Sequence, residues 1–289
     1  MKRPRGPRRL FAAALPLLLL GACDALRLGF LNAAGPVASG ERHLFIIVSI
    51  VMVFVAGPVL LLTPLIAWYY RLSNKISAYK PEWEFSWPLE GLIWIPPAGI
   101  VIGLAFLLWT YTHRYDPYAP IPSTLPTIEV QAVGLDWKWL FIYPDRGIAT
   151  VNQLAIPAGQ PVHLSLTSGT VMQSMLVPQL AGQIYAMAGM TTQLNLAADR
   201  PGTFIGENTQ FNGKGFQQEK FAVISMPPDN YVHWLEGVRQ SAPPLDAAAS
   251  AQLFEKSVPA SPIFYSSVPP GLFQNILAQS RAGMAEATR

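Results

Sequence analysis

Cysteine is almost absent from this 289-residue chain, because Cys23 is the only one. A single cysteine excludes an intrachain disulfide, a pair of thiolate ligands and a c-type haem attachment. Histidine is also scarce, and only His163 and His233 follow residue 126. Neither has a second ligand nearby in sequence, so we predict solvated or hydrogen-bonded surface histidines rather than metal ligands.

Charged residues are missing from two long stretches, residues 44–70 and 91–112. Each stretch exceeds the roughly 20 residues that an α-helix needs to cross the hydrocarbon core of a bilayer. We therefore predict transmembrane helices at 44–70 and 91–113. Prolines inside both stretches are tolerated where neighbouring helices cover the backbone, which indicates a partner subunit. These prolines are Pro58, Pro64, Pro96 and Pro97.

The N-terminus carries five basic residues ahead of the apolar run 10–22, a pattern typical of an export signal. We predict a signal peptide over residues 1–22. Its removal changes the formal net charge from +3 to −2, which excludes a basic nucleic-acid-binding protein. The five residues are Lys2, Arg3, Arg5, Arg8 and Arg9.

Cys23 directly follows the apolar run, in the sequence LGAC. This resembles a bacterial lipobox, so we predict that Cys23 is lipidated and becomes the mature N-terminus; the alternative is a buried thiol. Asp24 resembles the signal for retention in the inner membrane. An anchor outside the membrane would make residues 23–43 periplasmic, the loop 71–90 cytoplasmic, and everything after residue 113 periplasmic.

A proline-rich linker, residues 114–126, precedes a region with a different pattern. Apolar residues alternate with polar ones along 127–133, 162–166 and 194–196, as in half-buried β-strands. Turn sequences rich in proline and glycine separate these segments, as in a β-sandwich or barrel. We therefore predict a β-sandwich over residues 127–230, and then a helical and irregular arm over residues 231–289.

Several sequence runs are similar to subunit II of the haem-copper oxidases. They are EGLIWIPP at 90–97, GLDWKWLFIYP at 134–144 and PGTF at 201–204. The run QIYAMAGM at 183–190 resembles the quinol-oxidising branch, the bo-type ubiquinol oxidases, rather than the cytochrome c branch. The resemblance implies a cupredoxin-like sandwich, and an aromatic-rich arm anchored by Phe264, Tyr265 and Phe273.

In the cytochrome c branch, subunit II holds a dinuclear copper centre with thiolate, imidazole and thioether ligands. Six residues occupy the corresponding ligand positions in this chain: Gln173, Asn208, Gln210, Asn212, Phe216 and Glu219. None of them has sulfur or imidazole, and amide oxygens are poor ligands for soft copper. The resemblance therefore predicts a subunit that binds no metal.

The family places a carboxylate at the mouth of a proton-uptake path, and Glu90 matches it. The alternative is a glutamate stabilised only by the positive end of a helix dipole. The resemblance also implies that this chain is non-catalytic. The haems and one copper would lie in a large catalytic subunit I, which other small membrane subunits accompany, and ubiquinol would be the substrate of the complex.

Three further interpretations stay open. Trp137 and Trp139 fit an electron-entry port, but packing is the favoured interpretation because no acceptor metal is predicted behind them. Met187 and Met190 likewise favour packing over a copper site. For the whole chain, the alternatives are a copper-binding electron-transfer subunit of a cytochrome c oxidase and a membrane-anchored lipoprotein that binds a periplasmic partner.

Overall fold

The computed structural model describes residues 29–76 and 82–287. The chain divides into two compact units. Residues 40–116 form the helical unit, and the described residues 29–39 and 117–287 form the sandwich unit. The predicted signal peptide and Cys23 lie outside the described residues, so lipidation remains a prediction.

The helical unit contains two long helices, α1 (Pro36–Tyr69) and α2 (Trp87–Arg114). Both are long and apolar enough to cross a bilayer. Helix α1 starts earlier than the predicted span, because residues 36–43 continue the same helix. The Tyr111 hydroxyl lies 2.9 Å from His43 Nδ1. This contact joins the start of α1 to the end of α2, as expected for an antiparallel hairpin.

The sandwich unit contains eleven strands in two sheets. The first ten are β1 (Ile128–Leu135), β2 (Lys138–Tyr143), β3 (Ile148–Val151), β4 (Gln153–Pro157), β5 (Val162–Ser168), β6 (Gln173–Val177), β7 (Ala181–Ala186), β8 (Thr192–Leu196), β9 (Gly202–Asn208) and β10 (Lys220–Met226). The last, β11, spans Ile263–Tyr265. One sheet has the order β11-β3-β2-β1-β5-β8, and the other β4-β10-β9-β6-β7.

Strand pairing in both sheets is mixed. Strand β1 is antiparallel to β2 and parallel to β5, while β10 is antiparallel to β9 and parallel to β4. Crossovers between the sheets produce this pattern. The prediction of a β-sandwich is confirmed, and proline-containing turns at 143–145 and 200–202 border strands β2 and β9.

Strand β2 shows how the core is divided. All six of its residues are buried. Trp139, Phe141 and Tyr143 belong to the core between the two sheets, whereas Leu140 and Ile142 point to the opposite face and join a second core. Successive side chains of β2 point to opposite faces of the sheet, as in any strand, but here both faces of the sheet are buried.

The C-terminal arm covers the outer face of the first sheet and forms the second core with it. The arm contains α3 (Pro228–Ser241), which packs on the core between the two sheets, and α4 (Ala247–Phe254), β11 and α5 (Leu272–Ala287), which contribute to the second core. Strand β11 pairs with β3, and Tyr265 and Phe273 are buried in the second core. The prediction of a helical and irregular arm is confirmed, and the structure adds that β11 forms an edge strand of the first sheet.

The segment before α1 also packs on the sandwich unit. The Ala34 backbone N–H donates to Gln179 O at 2.8 Å, and its carbonyl accepts from Asp199 N at 2.8 Å. A Cβ atom on Gly35 would lie 2.2 Å from Ala197 O, so only glycine fits there. Ala34 is itself buried in the core. The sequence did not predict this docking.

Candidate functional site at one end of the sandwich

The six residues at the family's copper-ligand positions lie at one end of the second sheet. Gln173 begins β6, Asn208 ends β9, and Glu219 directly precedes β10. Strand β9 is antiparallel to both β6 and β10, so these three termini come together. Gln210 and Asn212 lie in the loop after β9, and Phe216 begins a short 3-10 turn before β10.

Asn208, Asn212 and Glu219 form a hydrogen-bonded network. Glu219 Oε2 accepts from Asn208 Nδ2 at 3.0 Å and from Asn212 Nδ2 at 2.6 Å. Asn208 Oδ1 accepts from the backbone N–H groups of Ser174 and Gln210. The Asn208 and Asn212 amides therefore link the Glu219 carboxyl group to the backbone of the loop, and both side chains have a structural role.

Glu219 is completely buried. Burial, which disfavours the charged form, raises the pKa of Glu219 to about 7. The amide donors of Asn208 and Asn212 oppose this shift, and the carboxylate of Asp136 adds to it. An acidic side chain with this pKa exists in both protonation states near neutral pH.

Gln173 is buried on the other side of the site. Its Nε2 donates to Leu135 O at 2.8 Å, and a Cβ atom on Gly134 would lie 2.6 Å from its Oε1. Phe216 contacts Phe211 with their ring centroids 5.6 Å apart. The donor set consists of amides, one carboxyl group and an aromatic ring, which do not fit a soft copper centre.

Trp137 covers the loop of this site. Its backbone is left-handed, with a φ of 68°, and its indole N–H donates to Asn212 O at 3.3 Å. The indole ring lies against Gly215, where a Cβ atom would approach to 2.3 Å. Trp137 is therefore a packing residue of the loop. Trp139 is fully buried in the core, so both indoles pack within this chain.

The remaining metal-ligand candidates lie apart. His163 Nδ1 is 3.0 Å from Asn195 Oδ1, and His233 is exposed on α3. Met187 is half-buried, whereas Met190 is exposed, which contradicts a packing role for Met190 within this chain. Within residues 29–76 and 82–287, no group of three His, Cys, Asp or Glu side chains is arranged to hold a metal.

Lys138 is a buried cation that the sequence analysis did not single out. It is 1% exposed, and its Nζ donates to Glu255 O at 2.5 Å and Ser257 Oγ at 2.6 Å. Burial lowers the pKa of Lys138, and the carboxylates of Asp136 and Glu255 oppose the shift. Lys138 therefore fastens the C-terminal arm to strand β2. The only sequence feature that could have indicated its burial is its position between Trp137 and Trp139.

Glu90 lies in the first turn of α2. Its Oε2 accepts from the indole N–H of Trp94 at 3.0 Å, and its side chain is half-buried. Among the described residues, the copper-position network and Glu90 belong to different units, so each is a separate candidate site.

Two segments of the chain match known families. Residues 146–224 match the family described as cytochrome c oxidase subunit II, periplasmic domain, and residues 239–280 match the cytochrome oxidase aromatic-rich motif. The solved periplasmic domain of cytochrome oxidase subunit II from Bradyrhizobium japonicum is 19% identical, with a TM-score of 0.38 over 39% of this chain and 94% of that chain. Both family matches lie within the sandwich unit and its C-terminal arm.

Full-length relatives extend this match across both units. Cytochrome bo(3) ubiquinol oxidase subunit 2 of Pseudomonas aeruginosa is 40% identical over 91% of this chain and 79% of its own length. Ubiquinol oxidase subunit 2 of Acetobacter aceti is 41% identical over 92% of this chain and 86% of its own length. The chain belongs to the family of subunit 2 of the haem-copper ubiquinol oxidases, and it is a membrane protein with two apolar helices.

Proposed function

We propose that this chain is a non-catalytic subunit of a proton-pumping ubiquinol oxidase in the bacterial inner membrane. The relatives named above are ubiquinol oxidase subunits, and the match spans both the apolar helices and the sandwich unit. In this proposal, α1 and α2 brace a large catalytic subunit, and the sandwich unit with its arm caps the outer surface of the complex. The haems and one copper lie in the catalytic subunit.

The proposal that this chain has no redox metal rests on the network around Glu219. The amides of Asn208 and Asn212 donate to its carboxyl group, and none of the six positions offers a thiolate, imidazole or thioether. Quinol is soluble in lipid and delivers electrons within the membrane, so a periplasmic copper relay is unnecessary. The rival function, a copper-binding electron-transfer subunit, requires ligands that these positions lack.

Metal analysis of the detergent-purified oxidase tests this proposal. We expect copper in the amount that the catalytic subunit alone holds, with haem and a large multi-span subunit in stable association. Copper above that amount would favour the electron-transfer subunit. Purification of this chain without haem or a large partner would instead favour a free-standing lipoprotein that binds another periplasmic protein.

Glu90 is the residue that we propose for proton uptake. It is a half-buried carboxyl group at the beginning of an apolar helix, with Trp94 as its hydrogen-bond donor. A carboxyl group at a membrane boundary has access to water and to the interior of a partner subunit, so it is suited to take up protons and pass them on. In the proposed topology, this end of α2 faces the cytoplasm.

Replacing Glu90 by Ala should slow quinol oxidation by roughly tenfold or more, as for the loss of a positioned proton-transfer group. The complex should still assemble, because the helix retains its apolar surface. Oxygen uptake with a quinol donor measures turnover, and haem content measures assembly. Glu84→Ala is the matched control, because Glu84 is an exposed carboxylate in the same connecting segment. Equal turnover in the two variants would remove Glu90 from the uptake path.

Lipidation of Cys23 completes the proposed topology, with the anchor and the sandwich unit in the periplasm. The support is the basic and apolar sequence that precedes Cys23. Mass spectrometry of the mature N-terminus tests it, since an unmodified Cys23 or an uncleaved signal peptide would contradict the anchor.

A further inference from the structure

Several buried side-chain oxygen atoms at this end of the sandwich, including those of Gln173 and Thr209, have no hydrogen-bond partner among the described residues, and two more belong to side chains that contact each other. These two are Glu219 Oε1 and Asn212 Oδ1, and both are buried. The other atoms of the same two groups meet, because Asn212 Nδ2 donates to Glu219 Oε2 at 2.6 Å. An ionised carboxyl group and an amide oxygen both accept hydrogen bonds, so neither oxygen satisfies the other.

A single proton on Glu219 would satisfy both atoms. A protonated carboxyl group has one O–H donor and keeps one acceptor oxygen. Its acceptor oxygen would keep the bond from Asn212 Nδ2, and its O–H would donate to Asn212 Oδ1. The carboxylic acid and the amide would then form a cyclic pair with two hydrogen bonds in opposite directions.

We propose that Glu219 is a proton-binding site of the sandwich unit, in which the carboxylic acid donates from Oε1 to Asn212 Oδ1. We further propose that loss of this proton loosens the loop formed by residues 209–215. The ligand is a single proton, and its exchange is an acid–base step without electron transfer. This inference concerns the sandwich unit alone and does not depend on the proposed role of Glu90.

The surrounding charges leave Glu219 without a cation. Asp136, whose charge acts on Glu219, is paired with Lys256, with Asp136 Oδ2 and Lys256 Nζ 3.5 Å apart. Lys220, the next residue in the chain, lies 3.7 Å from Glu207. Among the described residues no salt bridge to Glu219 is formed, so a proton is the available positive charge.

Two other lysines near the site also point elsewhere. Lys138 binds the C-terminal arm through Glu255 O and Ser257 Oγ. Lys214 is exposed in the loop. Burial of Glu219 disfavours its ionised form, which agrees with a raised pKa of about 7 for this group.

The Glu219 carboxyl group connects three segments that would respond to its charge. The carboxyl group binds Asn208, whose Oδ1 accepts from the N–H groups of Ser174 and Gln210. It also binds Asn212, whose backbone carbonyl accepts from the Trp137 indole. Phe211, in the middle of this loop, is 72% exposed. Ionisation would place Oε1 against Asn212 Oδ1 and weaken the connection between β10 and this loop.

The sign of the pH dependence follows from the raised pKa. The folded protein keeps its proton up to about pH 7, whereas the unfolded chain releases it near its ordinary value of 4.5. The stabilisation is therefore complete below the unfolded pKa and is lost as the pH rises through the folded pKa. Above that range, Glu219 is a buried charge with one unpaired oxygen.

Infrared titration of the detergent-purified oxidase tests the site. We expect the absorption of a neutral carboxyl group, which disappears with a midpoint near pH 7. Glu219→Gln should abolish it, and Glu207→Gln, which changes a partly exposed carboxylate, should not. Persistence of the titrating absorption in Glu219→Gln, or its absence from the unmodified protein, would overturn the proposal.

Asn212→Ala tests the acid–amide pair itself. The neutral carboxyl absorption should remain but move to higher frequency, because the carboxyl C=O loses the donor Asn212 Nδ2. An unmoved absorption would show that the proton does not bridge these two groups. Because the titration of the unmodified protein is the primary readout, failure of a variant to fold leaves the proposal testable.

Thermal unfolding gives an independent measurement. The unfolding temperature of the sandwich unit should fall by about 5–10 °C between about pH 5 and pH 8 in the unmodified protein. Glu219→Gln should remove most of this pH dependence, because its Nε2 donates to Asn212 Oδ1 at every pH. Equal pH dependence in the two proteins would contradict the proposal.

Discussion

Replacement of Trp139 by Ala is expected to lower the free energy of unfolding of the sandwich unit by about 3–5 kcal/mol. Trp139 is fully buried between the two sheets, and its ring lies 6.1 Å from that of Phe221. Removing the indole leaves a cavity that the sheets cannot close, because β2 is paired on both sides. Denaturant unfolding of the full chain in detergent measures the loss.

Two further variants make the Trp139 prediction specific. Trp139→Phe should cost less than Trp139→Ala, because it keeps a ring and removes an indole N–H that is buried without a partner among the described residues. Phe211→Ala should change the free energy by about 0.5 kcal/mol or less, because Phe211 is largely exposed. A loss below about 1 kcal/mol for Trp139→Ala would contradict the described core.

Replacement of Lys138 by Ala should destabilise the sandwich unit by about 2–3 kcal/mol and release part of the C-terminal arm. The buried ammonium group donates to Glu255 O and Ser257 Oγ, and both acceptors lose this charged donor in the variant. The segment 255–262, between α4 and β11, then loses its hydrogen bonds to β2. We expect faster proteolytic cleavage in this segment.

Lys220→Ala is the matched control for the Lys138 prediction. Its ammonium group is largely exposed and only pairs with Glu207 across two strands, so its removal should cost about 1 kcal/mol at most. Limited proteolysis and denaturant unfolding of both variants provide the comparison. Cleavage of the arm at the rate of the unmodified protein would contradict the role of Lys138.

Apolar periodicity predicted three strands of the first sheet, β1, β5 and β8, because alternating residues in a strand such as β5 show which face is buried. It was less informative for β2 and the arm. Both faces of β2 are covered, so its sequence after Lys138 is continuously apolar, and nothing in that run indicates what covers the second face. The strand β11 has only three residues, too few for a periodic signal.

The candidate site was located by resemblance, whereas its chemistry depends on the fold. The six positions indicate where a copper centre would lie in related proteins, but the burial of Glu219 and its contact with Asn212 arise only when β9 and β10 pair. Lys138 is similar, since its acceptors are more than 100 residues away in sequence. Sequence spacing does not reveal contacts of this range.

The docking of residues 29–35 bears on how the periplasmic portion can be isolated. A fragment cut at residues 127 and 230 would keep ten strands but lose Ala34 from the core and β11 from the sheet edge. It would also uncover the apolar face of β2 that the arm protects. Such a truncation is therefore expected to aggregate through this newly exposed apolar face.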